Sequence, residues 1–229
     1  MSTHYAGWLE LAEETCERFG YDKVTAMVSG PEAADTACKI ARKWGITHRK
    51  IPAEEAIVLG TSYKYHDLTS GIWPIMNPGN QAGYVAFDKN LITFTPRRVN
   101  YFARDITFQE EIDFAIGVRQ LYKRNSILFI SDEIRMGSGK TGKFLYSDWL
   151  GPKNKPDMVT LGNRFIQTGG TFTMAPAAVA ATVAALKIYD EEKLTEKTLI
   201  VEDKWKKTTS KRDYPWVKYV TSRGADMST

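Results

Sequence analysis

Helix-like and strand-like hydrophobic patterns alternate along the first part of the chain. Ahead of Gly20, apolar residues at helical spacing predict a first helix: Leu9, Leu11, Ala12, Cys16 and Phe19. The short apolar run 24–28 predicts a strand. Helical spacing over 31–44, with Gly45 as its stop, predicts the helix that follows. The first predicted α/β unit is therefore a strand, a turn and a helix.

The alternation continues to residue 189. Residues 56–60 predict a second strand, and residues 61–83, rich in Pro, Gly and Asn, predict a loop. Two short apolar runs, 84–87 and 91–94, are expected to pair around the residues between them. The later segments predict, in order, a helix, two strands and a long helix: 107–123, 126–130, 158–161 and 176–189.

Helices that alternate with continuous apolar strands are typical of a mainly parallel sheet flanked by helices. We therefore predict an α/β fold with one main domain over residues 1–200 and a basic segment over 201–229. From Asp203 to Arg223 this segment has seven basic residues against two acidic ones. Such a charge can attract nucleic acid or acidic lipid, but no nucleic-acid motif accompanies it, so we expect a solvated segment.

Composition indicates a globular protein. Hydrophobic residues make up 43% of the 229 residues, enough for a packed core. The chain has no apolar stretch long enough to cross a membrane, and its start lacks the layout of a secretory signal. We therefore expect a cytoplasmic protein without nucleic-acid or membrane partners. Two cysteines, Cys16 and Cys38, and three dispersed histidines predict no metal site.

A glycine-rich run resembles the end of a phosphate-binding loop. The sequence from Gly137 to Thr141 follows a predicted buried strand, but the full pattern requires glycine five positions before Gly139, where the chain has Ile134. The pattern therefore fails, and the run predicts a turn.

Ser29 and Gly30 join the first predicted strand to the next helix. The free N–H groups and positive dipole of a helix start can hold an anion such as phosphate. Ser29 with Glu32 can instead form a capping box that satisfies the same donors internally, and Pro31 removes one N–H. On this local sequence alone, capping is favoured.

Two further groups of polar residues follow predicted strands. Tyr65 and His66 come after the second strand, and Asp132 and Glu133 come after the run 126–130. Ligands of open α/β sheets bind at the carboxyl ends of strands. Neighbouring side chains of an extended segment point to opposite sides, so one of the two acids can face a pocket, and we choose Asp132. A helix cap or surface ion pair is an equal alternative.

Four segments together resemble the class III aminotransferases, the ornithine-aminotransferase-like branch of the pyridoxal-phosphate (PLP) enzymes. They occur in the family's order and cover somewhat under half of the chain: Phe19 to Gly45, Ile127 to Gly151, Lys155 to Gly162 and Gly169 to Leu194. The resemblance implies a fold-type-I PLP-transferase-like large domain with the small domain largely missing.

The resemblance also implies roles for individual residues. Ser29 and Gly30 match the turn that binds the cofactor phosphate, and Asp132 matches the acid that pairs with the pyridine nitrogen. A carboxylate there keeps the ring protonated, so that it can act as an electron sink. Thr171 matches a threonine that reaches a phosphate across a dimer interface, which implies a homodimer.

Three further positions carry family expectations. Tyr65 and His66 match the aromatic pair over the cofactor ring, and Arg135 stands where family members often have Gln beside the ring. We expect Asp132, His66, Tyr65 and Arg135 to be the catalytic set.

The chain departs from the family at the Schiff-base lysine. The family has Leu-Gly-Lys, whereas the chain has Leu161, Gly162 and Asn163. Asparagine forms no imine, and the neighbouring Arg164 is a poor nucleophile because its guanidinium stays protonated. We therefore expect no cofactor, with PLP bound at most noncovalently, and orthodox transamination to be lost.

These observations predict a repurposed aminotransferase-fold enzyme. It would act on a small organic substrate by acid/base or charge-stabilising catalysis, in specialised small-molecule biosynthesis. A transaminase-like enzyme that binds PLP noncovalently and a noncatalytic partner of a full-length aminotransferase are the open alternatives.

Overall fold

A computed structural model describes residues 6–61, 65–66, 68–75, 91–94, 107–162, 175–209 and 221–228. Its five helices lie within these ranges: α1 (Ala6–Phe19), α2 (Gly30–His48), α3 (Phe108–Arg124), α4 (Pro176–Glu191) and α5 (Leu194–Thr209). Short 3₁₀ turns occur at Trp73–Ile75, Tyr146–Leu150 and Pro152–Asn154.

Six strands in the described residues form three pairs. The strands are β1 (Val58–Thr61), β2 (Leu91–Phe94), β3 (Ile130–Asp132), β4 (Met158–Thr160), β5 (Thr221–Arg223) and β6 (Asp226–Ser228). β1 pairs with β2 in parallel, β3 pairs with β4 in parallel, and β5 and β6 form an antiparallel hairpin. The predicted α/β fold with parallel strands and helices is confirmed.

The chain divides into two compact units, of which one contains both parallel strand pairs. This unit comprises Gly30–Glu133 and Ser147–Thr160, and α2 packs against β4 within it. Thr107 begins α3 with a capping box to Glu110. Arg119 of α3 donates to both carboxylate oxygens of Asp157, at 2.7 and 2.9 Å. This bidentate pair fixes the helix to the start of β4.

The other unit comprises Met1–Ser29, Ile134–Tyr146 and Leu161–Thr229. Its core packs α1 against α4 through Leu11, Val179 and Leu186. Arg18 at the end of α1 donates to both carboxylate oxygens of Asp190, each at 2.8 Å. The β5–β6 hairpin belongs to the same unit and is hydrogen-bonded to the loop at residue 140. The N–H of Ala225 donates to the Lys140 carbonyl.

The predicted strand over 24–28 and the predicted end of the next helix are both wrong. Residues 24–28 form no strand. A short apolar run cannot by its pattern alone show whether a neighbouring strand pairs with it. The helix predicted to stop at Gly45 continues to His48, and Gly45 is buried in it. The left-handed residue beyond the helix is Lys50, at φ 57°.

Two strand predictions need a smaller correction. The strand expected over 126–130 forms instead at Ile130–Asp132, closer to the acidic residues. The run 91–94 is β2, but its partner is β1 in parallel, with Val58 opposite Leu91. The run 84–87, expected to pair with it, lies outside the described residues. Backbone pairing over long sequence separations decides both outcomes.

The predicted boundary between residues 200 and 201 is not marked by a break in secondary structure. Helix α5 runs from Leu194 to Thr209 and crosses it. Two of its lysines pair with acids one turn earlier, Lys206 with Glu202 and Lys207 with Asp203. The division into a 1–200 domain and a basic segment stays a prediction.

Candidate active site

Asp132 ends strand β3, beside the end of strand β4. The parallel register places Asp132 opposite Thr160. Because parallel strands end at the same edge of a sheet, their last side chains can meet there. Thr160 Oγ1 donates a hydrogen bond to Asp132 Oδ1 at 2.8 Å. The strand register therefore supplies the first constraint on the orientation of the Asp132 carboxylate.

His66 supplies the second constraint on this carboxylate. Its Nδ1 lies 2.6 Å from Asp132 Oδ2, and the two side chains are only 21% and 15% exposed. A carboxylate can only accept, so Nδ1 carries the proton of this hydrogen bond. Charge-assisted hydrogen bonds of this kind are short and strong. Two of the four predicted catalytic residues, 66 positions apart, are therefore in direct contact.

Glu133 has different partners from its neighbour. The side chain is 1% exposed, and its Oε1 accepts from the backbone N–H of Ser147 at 2.9 Å and from Ser131 Oγ at 3.1 Å. The two adjacent carboxylates are thus held by separate groups, as the alternation of side chains along an extended segment requires.

The buried face of α2 carries a thiol, Cys38, which lies within the electrostatic influence of Asp132. Burial raises the pKa of Cys38 to about 11, and the charges of Asp35 and Asp132 act in the same direction. Because the thiolate is the reactive form, this environment suppresses the nucleophilicity of Cys38 at neutral pH. Cys38 is therefore a buried residue of α2 with little nucleophilic character.

We expect iodoacetamide to alkylate Cys38 much more slowly than Cys16, the half-buried cysteine of α1. With a pKa of about 11, about one Cys38 thiol in a thousand is ionised at pH 8, so its rate should rise about tenfold per pH unit up to pH 10. Peptide mass spectrometry of a time course measures both rates, and full denaturation should equalise them. Equal rates in the native protein at pH 8 would contradict the assigned environment.

The remaining predicted site residues lie in different surroundings. Tyr65, next to His66, is 61% exposed. Arg135 lies in the other compact unit, where its side chain is 73% exposed and its guanidinium is 3.5 Å from Asp226. Gly30 is the first residue of α2, directly after Ser29, and Glu32 lies in the first turn of the helix. Thr171 and Asn163 lie outside the described residues. The roles assigned to all of these residues stay predictions.

Sequence reasoning missed Thr160 and the anchoring of Glu133. A signal for Thr160 was present, because the predicted strand 126–130 ended two residues before Asp132 and the predicted strand 158–161 ended one residue after Thr160. No comparable signal existed for Glu133, since its partner Ser147 belongs to a 3₁₀ turn without a hydrophobic pattern. The helix start at Gly30, by contrast, lies where the Ser29 capping signal predicted it.

The described residues contain no group of three or more acidic, histidine or cysteine side chains arranged to hold a metal ion. None of the described helices is both long enough and apolar enough to span a membrane.

Comparison with solved structures identifies the fold class. An ornithine aminotransferase of Toxoplasma gondii superposes with a TM-score of 0.75 at 22% identity, over 94% of this chain and 61% of that one. An amine transaminase from an uncultivated Pseudomonas species gives a TM-score of 0.79 at 19% identity, over 98% and 66% of the respective chains. The chain therefore has the fold of the PLP-dependent transaminases.

Sequence comparison narrows the relationship. No protein-family model matches the chain. An ornithine aminotransferase of Schizosaccharomyces pombe is 29% identical over an alignment of 264 positions, gaps included. The alignment covers 93% of this chain and 60% of that protein. The resemblance is confirmed: this chain is similar in sequence to ornithine aminotransferases, and it spans about 60% of the length of that relative.

The expectation that the chain uses no cofactor is wrong. The T. gondii structure has PLP at partial occupancy in its active site, and the Pseudomonas transaminase is in a PLP-bound form. The expectation was based on Asn163, which cannot form an imine with the cofactor. A missing lysine changes how a cofactor is attached, whereas a carboxylate at a strand end and a helix start contribute to binding without it.

Proposed function

We propose that this chain binds PLP and uses it to transfer an amino group between small organic amines and carbonyl compounds. The observation that carries the proposal is the geometry of Asp132, a largely buried carboxylate at the end of β3 held by Thr160 and His66. The homologous aminotransferases support the reaction class.

The donor and acceptor set around Asp132 fits the pyridine ring of PLP. A protonated ring nitrogen is a cationic donor, and Asp132 offers an anionic acceptor in a partly desolvated position, where such a pair is strong. Thr160 and His66 each hold one oxygen, so the plane of the carboxylate is fixed before a ligand arrives. This preorganisation lowers the entropic cost of binding.

When bound, PLP supplies an electron sink for the substrate carbon next to the amine. Asp132 holds the proton on the ring nitrogen, and His66 keeps the Asp132 carboxylate oriented through Nδ1. We assign the phosphate to the start of α2 at Ser29 and Gly30, where backbone N–H groups and the helix dipole favour an anion. Tyr65 would cover the ring, and Thr171 would come from a second copy of the chain in a homodimer.

A titration of PLP into the purified chain tests the proposal. We expect saturable binding, followed by absorbance or circular dichroism of the cofactor, with one cofactor per chain. The loaded protein should then convert an amine donor and a keto acid acceptor, assayed by chromatography of both products. Binding that is absent or unsaturable would overturn the proposal, whereas saturable binding without conversion would leave a cofactor-binding partner of another aminotransferase as the function.

A further inference from the structure

We propose that Glu133 is a positioning residue, whose buried carboxylate holds the end of β3 so that Asp132 keeps its orientation. The inference rests on the proposed function for the importance of Asp132, but the contacts that carry it belong to the cofactor-free chain. Glu133 is the most buried charged residue among those that the structure describes, at 1% exposure.

The Glu133 carboxylate connects strand β3 to the following 3₁₀ turn, through Ser131 and Ser147. Its Oε1 accepts from the Ser147 N–H in the 3₁₀ turn Tyr146–Leu150 and from the Ser131 hydroxyl within β3. Both donors are neutral, and Ser147 is itself 4% exposed. A buried N–H that loses its acceptor cannot bond to water instead. Breaking the hydrogen bond between the Ser147 N–H and Glu133 is therefore costly in free energy.

The backbone of Glu133 completes the connection to Asp132. The Glu133 N–H donates to the Thr160 carbonyl at 2.8 Å, while Thr160 Oγ1 donates to Asp132 Oδ1 at 2.8 Å. Thr160 therefore binds two successive residues of the β3 end. If the Glu133 side chain is released from the 3₁₀ turn, the peptide that joins it to Asp132 keeps its hydrogen bond to the Thr160 carbonyl but loses the side-chain anchor that limits its rotation.

Such a rotation would first change the length and angle of the hydrogen bond between Asp132 and His66. This bond spans 2.6 Å, and a charge-assisted hydrogen bond depends steeply on distance and angle. In this proposal Glu133 acts on the site through Asp132.

Proton NMR of the cofactor-free chain tests this role directly. The His66 Nδ1 proton should give a low-field resonance, and with only three histidines its loss in His66→Gln assigns it. We expect Glu133→Ala to abolish this resonance. Glu133→Gln should retain it, because its carboxamide oxygen can still accept from Ser147 and Ser131.

A matched core deletion separates positioning from general loss of stability. Ile112 on α3 is 5% exposed, so Ile112→Ala destabilises the same compact unit without removing a group from the Asp132 network. We expect Ile112→Ala to keep the low-field resonance. A resonance retained in Glu133→Ala, or lost equally in Ile112→Ala, would overturn the proposal.

A PLP titration of the same variants distinguishes this inference from the proposed function. If Glu133 acts through Asp132, Glu133→Ala should bind PLP more weakly and Glu133→Gln about as well as the native chain. Failure of the native chain to bind PLP would refute the proposed function, while the NMR result would still decide whether Glu133 holds Asp132.

Discussion

Asp132→Asn should weaken PLP binding roughly 10-fold to 100-fold, the equivalent of about 1.5–3 kcal/mol for a hydrogen bond to a charged group. The substitution removes the negative charge that holds the ring-nitrogen proton. It should preserve the fold, because the carboxamide oxygen can still accept from Thr160 and its NH₂ can donate to a neutral His66 ring. Titration of both proteins under identical conditions measures the ratio of the dissociation constants.

Asp148→Asn is the control for this measurement. Asp148 is an exposed acid of the 3₁₀ turn in the same compact unit, and its substitution changes the net charge by the same amount. We expect PLP affinity within about twofold of the native chain, because exposed charges are screened. Equal affinities for the native chain and Asp132→Asn would remove Asp132 from the cofactor site. Amine transfer should fall together with binding in Asp132→Asn.

Asn163→Lys should create a reducible lysine adduct of PLP that the native chain lacks at this position. In the sequence, Leu161, Gly162 and Asn163 come directly after β4, where the resemblance implies the family's Leu-Gly-Lys. An unprotonated lysine amine can attack the cofactor aldehyde, whereas a carboxamide cannot. Borohydride reduction and peptide mass spectrometry should find the cofactor mass on the peptide that contains position 163, at near one per chain.

Asn163→Gln is the matched variant, since it lengthens the side chain without adding an amine. It should give no adduct at position 163 after the same treatment. If Asn163→Lys also gives none while PLP still binds, the triplet does not occupy the lysine position, and the match between this segment and the family is wrong. An adduct on another lysine of the native chain would identify a substitute for the missing group.

Local patterns in the sequence determined most of the helices. The apolar spacing ahead of Gly20 predicted α1, and the alanine-rich run from Pro176 predicted α4, with their C-terminal ends within two residues of the prediction. The apolar spacing over 107–123 predicted α3, whose start the structure shows to be held by a capping box between Thr107 and Glu110. These features depend on neighbours along the chain, which is why a single sequence suffices to find them.

The sequence also selected one of two adjacent acids. An extended backbone points successive side chains to opposite sides, so Asp132 and Glu133 could not share a pocket, and the structure gives them separate partners. The family resemblance, carried by segments in a fixed order, predicted the fold, and the comparisons confirmed it.

Tertiary structure alone decided which distant groups meet. The run 24–28 has the composition of a strand but forms none, and the helix passes through Gly45, where the sequence carried a stop signal. The contact of His66 with Asp132 spans 66 positions, and the anchoring of Glu133 by Ser147 spans 14. Strand pairing and burial bring together atoms that are far apart in the sequence, and these interactions fix both contacts. A hydrophobic pattern therefore predicts helices and strands, whereas the packing of the chain determines which side chains meet around Asp132.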